Sequence, residues 1–274
     1  MSKEGPALLL LLLFWILSLL SAVLICVGKR FNLLLALPMA PVVFVTIVAL
    51  YFSVLFAISL FVNKKKTRKK PNPAAMWLLE QTFAACLPFC RVRLRVRNAE
   101  RLPEGECLVV SNHLSKFDPV VTASAFRGNH MVFVARENVF DAPLIGAFMN
   151  LCCYVPMNRD DPRKAIVSVN ESARLINEEK LKVVIYPEGT RSKDHALHDF
   201  HPGSFKIASR AESPIAVIAL KNTDAIHKNL PFGHTDVYVS VVGVISAEEQ
   251  KAMTTFELAE KASKMISAEL SRIG

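Results

Sequence analysis

Acidic residues are nearly absent from the first hundred positions, where three stand against thirteen Lys and Arg. The remainder holds twenty basic and twenty-one acidic residues, so the formal charge of +9 belongs to the N-terminal part alone. Ala7 to Val27 carries no charge, and its length suits a helix crossing a bilayer. No clear A-x-A site follows this run, and it is too long for the apolar core of a secretory signal, which argues against removal. The six cysteines show no paired zinc spacing, and a cytoplasmic location argues against disulfides; Cys86 and Cys90 are expected on one helix face. No internal repeat is present. No G-x-S-x-G surrounds Ser111, which excludes the usual nucleophile elbow. The basic stretches lack interleaved aromatics, so they offer no stacking platform and nucleic acid is not an expected partner.

What is present begins with a second apolar run, Leu33 to Val62, in which Pro38 and Pro41 predict a break near the start. Two helices joined through Gly28 to Asn32 are expected. Six of the seven residues from Lys64 to Lys70 are basic, a flank that the positive-inside rule assigns to the cytoplasm. Residues 1–70 therefore read as a membrane-anchoring hairpin with its basic flank, either spanning the bilayer or dipping into one leaflet. Residues 71–274 read as one domain on the cytoplasmic side.

Pro71 and Pro73 mark the boundary, and Ala74 to Phe89 is predicted helical. In "RVRLRVR", Arg91, Arg93, Arg95 and Arg97 alternate with apolar residues, a period of two that predicts a strand with one cationic face. That face is either solvated or a surface for anionic lipid heads or an anionic donor. Further strands are predicted at "CLVV", "MVFVA", "CCYVPM", "KVVIY", "IAVIAL" and "VYVSVVGV". Helices are predicted at Pro119 to Phe126, Pro162 to Glu179, Phe205 to Glu212 and Thr255 to Arg272, the last opened by the capping box Thr254-x-x-Glu257. The alternation predicts a single α/β domain with a central mixed sheet flanked by helices.

Three strand ends carry chemistry. After "CLVV", "SNHLSKFDPV" offers His113 five residues before Asp118. Asp118 followed by Pro119 fits a helix N-cap. It also fits a carboxylate that fixes the imidazole tautomer and leaves the other ring nitrogen to take a proton. After "KVVIY", Glu188-Gly189-Thr190-Arg191 combines a flexible backbone, a hydroxyl and a guanidinium, the parts of a phosphate cradle. After "CCYVPM", Arg159 adds a cation. His195, His198 and His201 fall in one loop without a fourth ligand of suitable spacing, so solvent-exposed histidines are expected there rather than a metal site.

These residues resemble the glycerolipid acyltransferases of the lysophosphatidic acid acyltransferase (PlsC) type, from about Arg97 to the C-terminus. Asn112-His113 with Asp118 matches the NHx4D signature, Glu188 to Arg191 matches EGTR, and Arg159 matches the arginine of the intermediate block. "RENVFDAPLIG" and "FHPGSFKIA" match further segments. Asn158 stands where the family usually has Asp, and Val217 where its last block usually has proline. The resemblance implies acyl transfer from acyl-CoA or acyl-carrier protein to the free hydroxyl of lysophosphatidic acid, giving phosphatidic acid in phospholipid biosynthesis. It implies His113 as base, Asp118 as its orienting partner, and Glu188, Gly189, Thr190, Arg191 and Arg159 around the acceptor phosphate. It implies no cofactor and no metal, and a location at a membrane, the cytoplasmic one in a bacterium. Two other readings stay open at the level of sequence. One is a thioesterase or lysolipid hydrolase using the same pair; the other is a non-enzymatic protein that binds anionic lipid.

Overall fold

A computed structural model describes residues 5–29, 36–63, 68–192 and 196–273. Helices α1 (Gly5–Gly28) and α2 (Ala36–Leu60) are apolar almost throughout. They pack on each other: the Ser18 hydroxyl donates to the Ala40 carbonyl at 2.7 Å, and the Trp15 and Phe44 rings stack with centroids 4.3 Å apart. The predicted break at Pro38 and Pro41 does not occur, because α2 begins at Ala36 and runs through both. Pro38 falls in the first turn, whose N–H groups have no intrahelical acceptor, so only Pro41 removes a bond. The joining residues 30–35, which include part of the predicted connection, lie outside the described residues, as do Lys64 to Thr67 of the basic flank. Pro38–Leu60 is the one helix among the described residues that is long and apolar enough to cross a membrane.

The hairpin rests on α3 (Pro73–Phe89), which starts where the Asn72 side chain accepts from Ala75 N at 3.0 Å. The Tyr51 hydroxyl meets Thr82 Oγ1 at 2.7 Å, and the Phe44 and Phe89 ring centroids are 5.7 Å apart. The Cys86 and Cys90 thiols, paired by their i,i+4 spacing, lie 3.8 Å apart at the end of α3. Arg68 and Lys69 of the basic flank are pinned, since Arg68 Nε donates to Asn150 Oδ1 at 3.1 Å and the Lys69 carbonyl accepts from Arg174 at 2.7 Å.

Seven strands follow: β1 (Val92–Arg97), β2 (Cys107–Ser111), β3 (Met131–Arg136), β4 (Val155–Met157), β5 (Lys182–Ile185), β6 (Ile215–Lys221) and β7 (Thr235–Ile245). They form one sheet in the order β1-β7-β6-β2-β5-β3-β4, parallel except for the β6/β7 pair. Strands β2 and β5 are buried at every position, as the near-continuous apolar runs of an internal parallel strand require. The helices of this part are α4 (Asp118–Ala125), α5 (Pro143–Leu151), α6 (Pro162–Glu179), α7 (Lys206–Ala211), α8 (Ala225–Asn229), α9 (Ala247–Lys251) and α10 (Thr255–Arg272). The capping box at Thr254 forms, with Thr254 N donating to Glu257 Oε2 at 2.7 Å. The sequence reading placed no helix at α5, α8 or α9. The run "PLIGAFMNL" of α5 spans only nine residues and is mostly apolar, too short for its period to separate helix from buried strand.

Arg93, Arg95 and Arg97 of β1 are exposed. Arg97 is in register with Ser240, whose hydroxyl donates to Glu269 of α10, whereas Val92 and Leu94 pack against the core. Arg95 pairs with Asp236 at 3.2 Å and Arg97 lies over the Tyr238 ring. The cationic strip thus charges an edge strand, which discourages pairing with another chain.

Gly146 in α5 fixes how closely that helix approaches the short turn at Glu137–Asp141. A Cβ there would sit 1.9 Å from the Phe140 carbonyl oxygen, a backbone atom. Gly146→Ala should cost about 1–3 kcal/mol of unfolding free energy, the usual penalty of overpacking. Gly105→Ala, where no atom lies within 4 Å, should change it by less than about 0.5 kcal/mol. Denaturant unfolding in detergent compares the two.

Candidate active site

The site forms at the carboxyl ends of the parallel strands, where open α/β sheets place ligands. Strand β2 delivers Asn112 and His113. The Asn112 amide donates to the Leu220 carbonyl and accepts from the Leu220 N–H, both at 2.8 Å. One side chain thereby continues the β2/β6 ladder past the strand end and fixes the chain just before His113.

His113 Nδ1 lies 2.6 Å from Asp118 Oδ2. The ring is one-fifth exposed, whereas Asp118 is fully buried. Beneath the imidazole the Tyr186 ring is stacked at 4.5 Å between centroids and 17° between planes. Asp118 Oδ2 also accepts from Leu114 N at 2.7 Å and Ser115 N at 2.9 Å, and Oδ1 accepts from the Thr223 hydroxyl. This corrects the helix-cap expectation. Asp118 is the first residue of α4, but its carboxylate turns back toward the preceding loop, and the residue in the cap position is Phe117. The loop folds around the carboxylate and carries His113 to it. With Nδ1 held by the carboxylate, Nε2 is the ring nitrogen left to exchange a proton with a substrate.

The loop after β5 is strapped to the same segment. Glu188 Oε1 accepts from His113 N at 2.7 Å, Glu188 Oε2 accepts from His198 N at 3.2 Å, and Ser192 N donates to the His113 carbonyl at 2.9 Å. Burial raises the Glu188 carboxyl above the usual range, and the two backbone N–H groups partly offset this. Glu188, grouped above with phosphate-binding residues, thus faces inward as a tie between loops, and its negative charge suits backbone N–H groups rather than an anion. Burial, with the charge of Asp118 adding to it, raises the Tyr186 phenol far above its ordinary value and keeps it neutral.

Gly189 has a left-handed φ of +78°, and an added Cβ would lie 1.3 Å from Arg159 Nη1. The glycine is therefore the floor on which that guanidinium lies, with Arg159 Nη2 donating to the Tyr186 carbonyl at 3.2 Å. Burial of the guanidinium, and the charge of Arg136 beside it, lower its proton affinity. Thr190 and Arg191 are exposed. Three loops thus bring a His–Asp pair, a glycine turn and two arginines to one end of the sheet. Asn158 Nδ2 donates to Glu137 Oε2 at 2.8 Å, which ties the loop carrying Arg159 to the end of β3. Val217 is fully buried beside an irregularity in the β6/β7 ladder. His198 and His201 are exposed and His195 lies outside the described residues; among the described residues no group of three or more metal-ligating side chains occurs. Tyr186 and Thr223 were not singled out from the sequence. Tyr186 sits directly before the EGTR turn, but Thr223 follows a strand far along the chain and carries no motif.

A family model described as Acyltransferase matches residues 93–221, a stretch that holds His113, Asp118, Arg159 and Glu188 to Arg191. A chloroplastic 1-acyl-sn-glycerol-3-phosphate acyltransferase of Brassica napus is 33% identical over 154 residues, covering 53% of this chain and 43% of that one. A Caenorhabditis elegans protein provisionally named for the same activity is 30% identical over 186 residues, covering 66% of this chain and 70% of the relative. The chain spans less than half the length of the plant relatives it matches. The fold matches the crystal structure of the 1-acyl-sn-glycerophosphate acyltransferase PlsC from Thermotoga maritima, with a TM-score of 0.63 at 16% identity over 82% of this chain and 88% of that one. The chain belongs to the lysophosphatidic acid acyltransferase family of glycerolipid acyltransferases.

Asn112→Ala would leave the buried N–H and C=O of Leu220 without partners. It should lower unfolding free energy by on the order of 2–6 kcal/mol, at about 1–3 kcal/mol for each orphaned group. Thermal unfolding of the variant beside the wild type measures the loss.

Proposed function

We propose that the protein transfers a fatty acyl group from an acyl thioester to the free hydroxyl of lysophosphatidic acid, forming phosphatidic acid at a membrane. The observation that carries this reading is the His113–Asp118 pair, one nitrogen committed and one open, beside a glycine turn and two arginines. Nε2 of His113 takes the acceptor proton as the hydroxyl oxygen attacks the thioester carbonyl, and Asp118 stabilises the imidazolium that forms. Collapse of the tetrahedral intermediate breaks the C–S bond, and the departing thiolate takes the proton back from Nε2. The Tyr186 face under the ring adds a cation–π attraction to the charged imidazole.

Arg191, Thr190, the Gly189 backbone and Arg159 hold the acceptor phosphate, so binding energy remote from the reacting atoms positions the hydroxyl. Glu188 supports them from behind. The donor is a thioester of coenzyme A or of acyl-carrier protein. The apolar hairpin holds the domain at the bilayer, with the basic flank on the cytoplasmic side, so that a lipid acceptor reaches the site without leaving the membrane.

His113→Ala should lower turnover by about two to four orders of magnitude with the protein still membrane-bound, the contribution of a positioned general base. Asp118→Asn should lose at least about tenfold. Its oxygen can still face the three donors at Oδ2 and its amide can donate to Thr223, so the fold survives while the charge is gone. Initial rates with lysophosphatidate, with melting temperature on the same samples, test both.

Arg191→Lys keeps the charge but loses the planar fork. It should raise the apparent KM for lysophosphatidate well above any change for the acyl donor. With an acceptor of the same chain but no phosphate, the variant should match the wild type. An equal loss with both acceptors removes Arg191 from phosphate binding.

A further inference from the structure

Asp118 is the only member of the His–Asp pair that is wholly buried, and an ionised carboxylate accepts hydrogen bonds at both oxygens. The loop 113–115 satisfies Oδ2 alone, through Nδ1 of His113 and the N–H groups of Leu114 and Ser115. Oδ1 is met from elsewhere. Its donor is the hydroxyl of Thr223, 105 residues along the chain and itself fully buried.

The delivery of that hydroxyl is built into the end of β6. The Asn112 amide clamps Leu220, which fixes the strand end beside β2. Two residues on, Asn222 takes a left-handed φ of 67°, a conformation Asn tolerates better than most residues, and its Nδ2 donates to the Asp236 carbonyl at 3.1 Å. The chain then turns into α8, with Ala225 N donating to the Asn222 carbonyl at 3.2 Å. Thr223 at the middle of this turn points its side chain back to Asp118.

We infer that Thr223 is a positioning residue for the proposed acyl transfer, acting through Asp118: it holds Oδ1 so that Oδ2 stays on Nδ1 of His113 and the carboxylate keeps its place opposite the imidazolium. This rests on the reaction proposed above. Thr223 has no part in holding either substrate, so its loss acts on the rate and not on binding.

Thr223→Val preserves shape and removes the hydroxyl, whereas Thr223→Ser keeps it. In purified full-length protein with acyl-CoA and lysophosphatidate, Thr223→Val should lower kcat by about tenfold to a hundredfold, the equivalent of one hydrogen bond to a charged group. KM for both substrates should stay within about twofold, and Thr223→Ser should recover most of the rate. In an Asp118→Asn background the same Val substitution should cost less than about threefold, since the coupled partner is already altered. Equal losses in both backgrounds, a change confined to KM, or a Val variant as active as the wild type would each overturn the assignment.

One readout needs no turnover. The downfield proton resonance of the His113–Asp118 hydrogen bond should shift or vanish in Thr223→Val and persist in Thr223→Ser. An unchanged resonance in Thr223→Val overturns the assignment even if Thr223→Val melts too early for kinetics. If instead His113→Ala kept full transfer activity, the reaction scheme would fail while the resonance still reported whether Thr223 holds Asp118.

Discussion

A carboxylate with no exposure to water needs donors on every side, and the architecture of this site follows from meeting that need at Asp118. Removing an ion from water costs several kcal/mol unless hydrogen bonds replace its hydration. Here the donors come from two chain segments: the loop after β2 supplies two backbone N–H groups and the imidazole, and the turn after β6 supplies a hydroxyl. The two segments are adjacent only because β2 and β6 pair in the sheet. The sheet order thus sets the electrostatics of the His113–Asp118 pair.

The same economy governs the loop after β5. Glu188 binds the backbone of His113 from one side while Ser192 binds it from the other, so His113 and the arginine-bearing turn are tied into one body. Gly189 then lets Arg159 lie flat against the turn, an approach that any side chain at that position would block. Remote binding of a phosphate can be converted into placement of a hydroxyl only when the two sites are held this rigidly. Residues that bear no chemistry, Asn112 and Glu188 among them, supply the rigidity.

Much of this was legible along the chain because it is local. Strand periodicity located the sheet, and the five-residue spacing brought His113 and Asp118 together. Gly189 read as a flexible part of an anion cradle, and the neighbour that needs its missing side chain is the Arg159 guanidinium. The parts that were not legible are those decided by distant partners. Asp118 before Pro119 has the local signature of a helix cap, and only the folded loop shows that its carboxylate turns the other way. Thr223 has no signature at all, since its role depends on β6 lying beside β2. Glu188 read as part of an anion cradle because its neighbours Gly189 and Arg191 are anion ligands by type, yet the burial that points it at two N–H groups is a tertiary effect. Pro38 and Pro41 failed as breakers for a positional reason, their closeness to the first turn of α2. The exposed arginines of β1 follow the period of two along the strand, although the contacts of Arg95 with Asp236 and of Arg97 with Tyr238 depend on β7 lying alongside.

The central claim is that the His113–Asp118 pair activates a lipid hydroxyl rather than water. Its most direct measurement is the stoichiometry of products from purified protein given an acyl thioester with and without lysophosphatidate. Free thiol and phosphatidic acid should appear in equal amounts and only when the acceptor is present. Thiol release matched by free fatty acid, at a rate indifferent to the acceptor, would contradict the account.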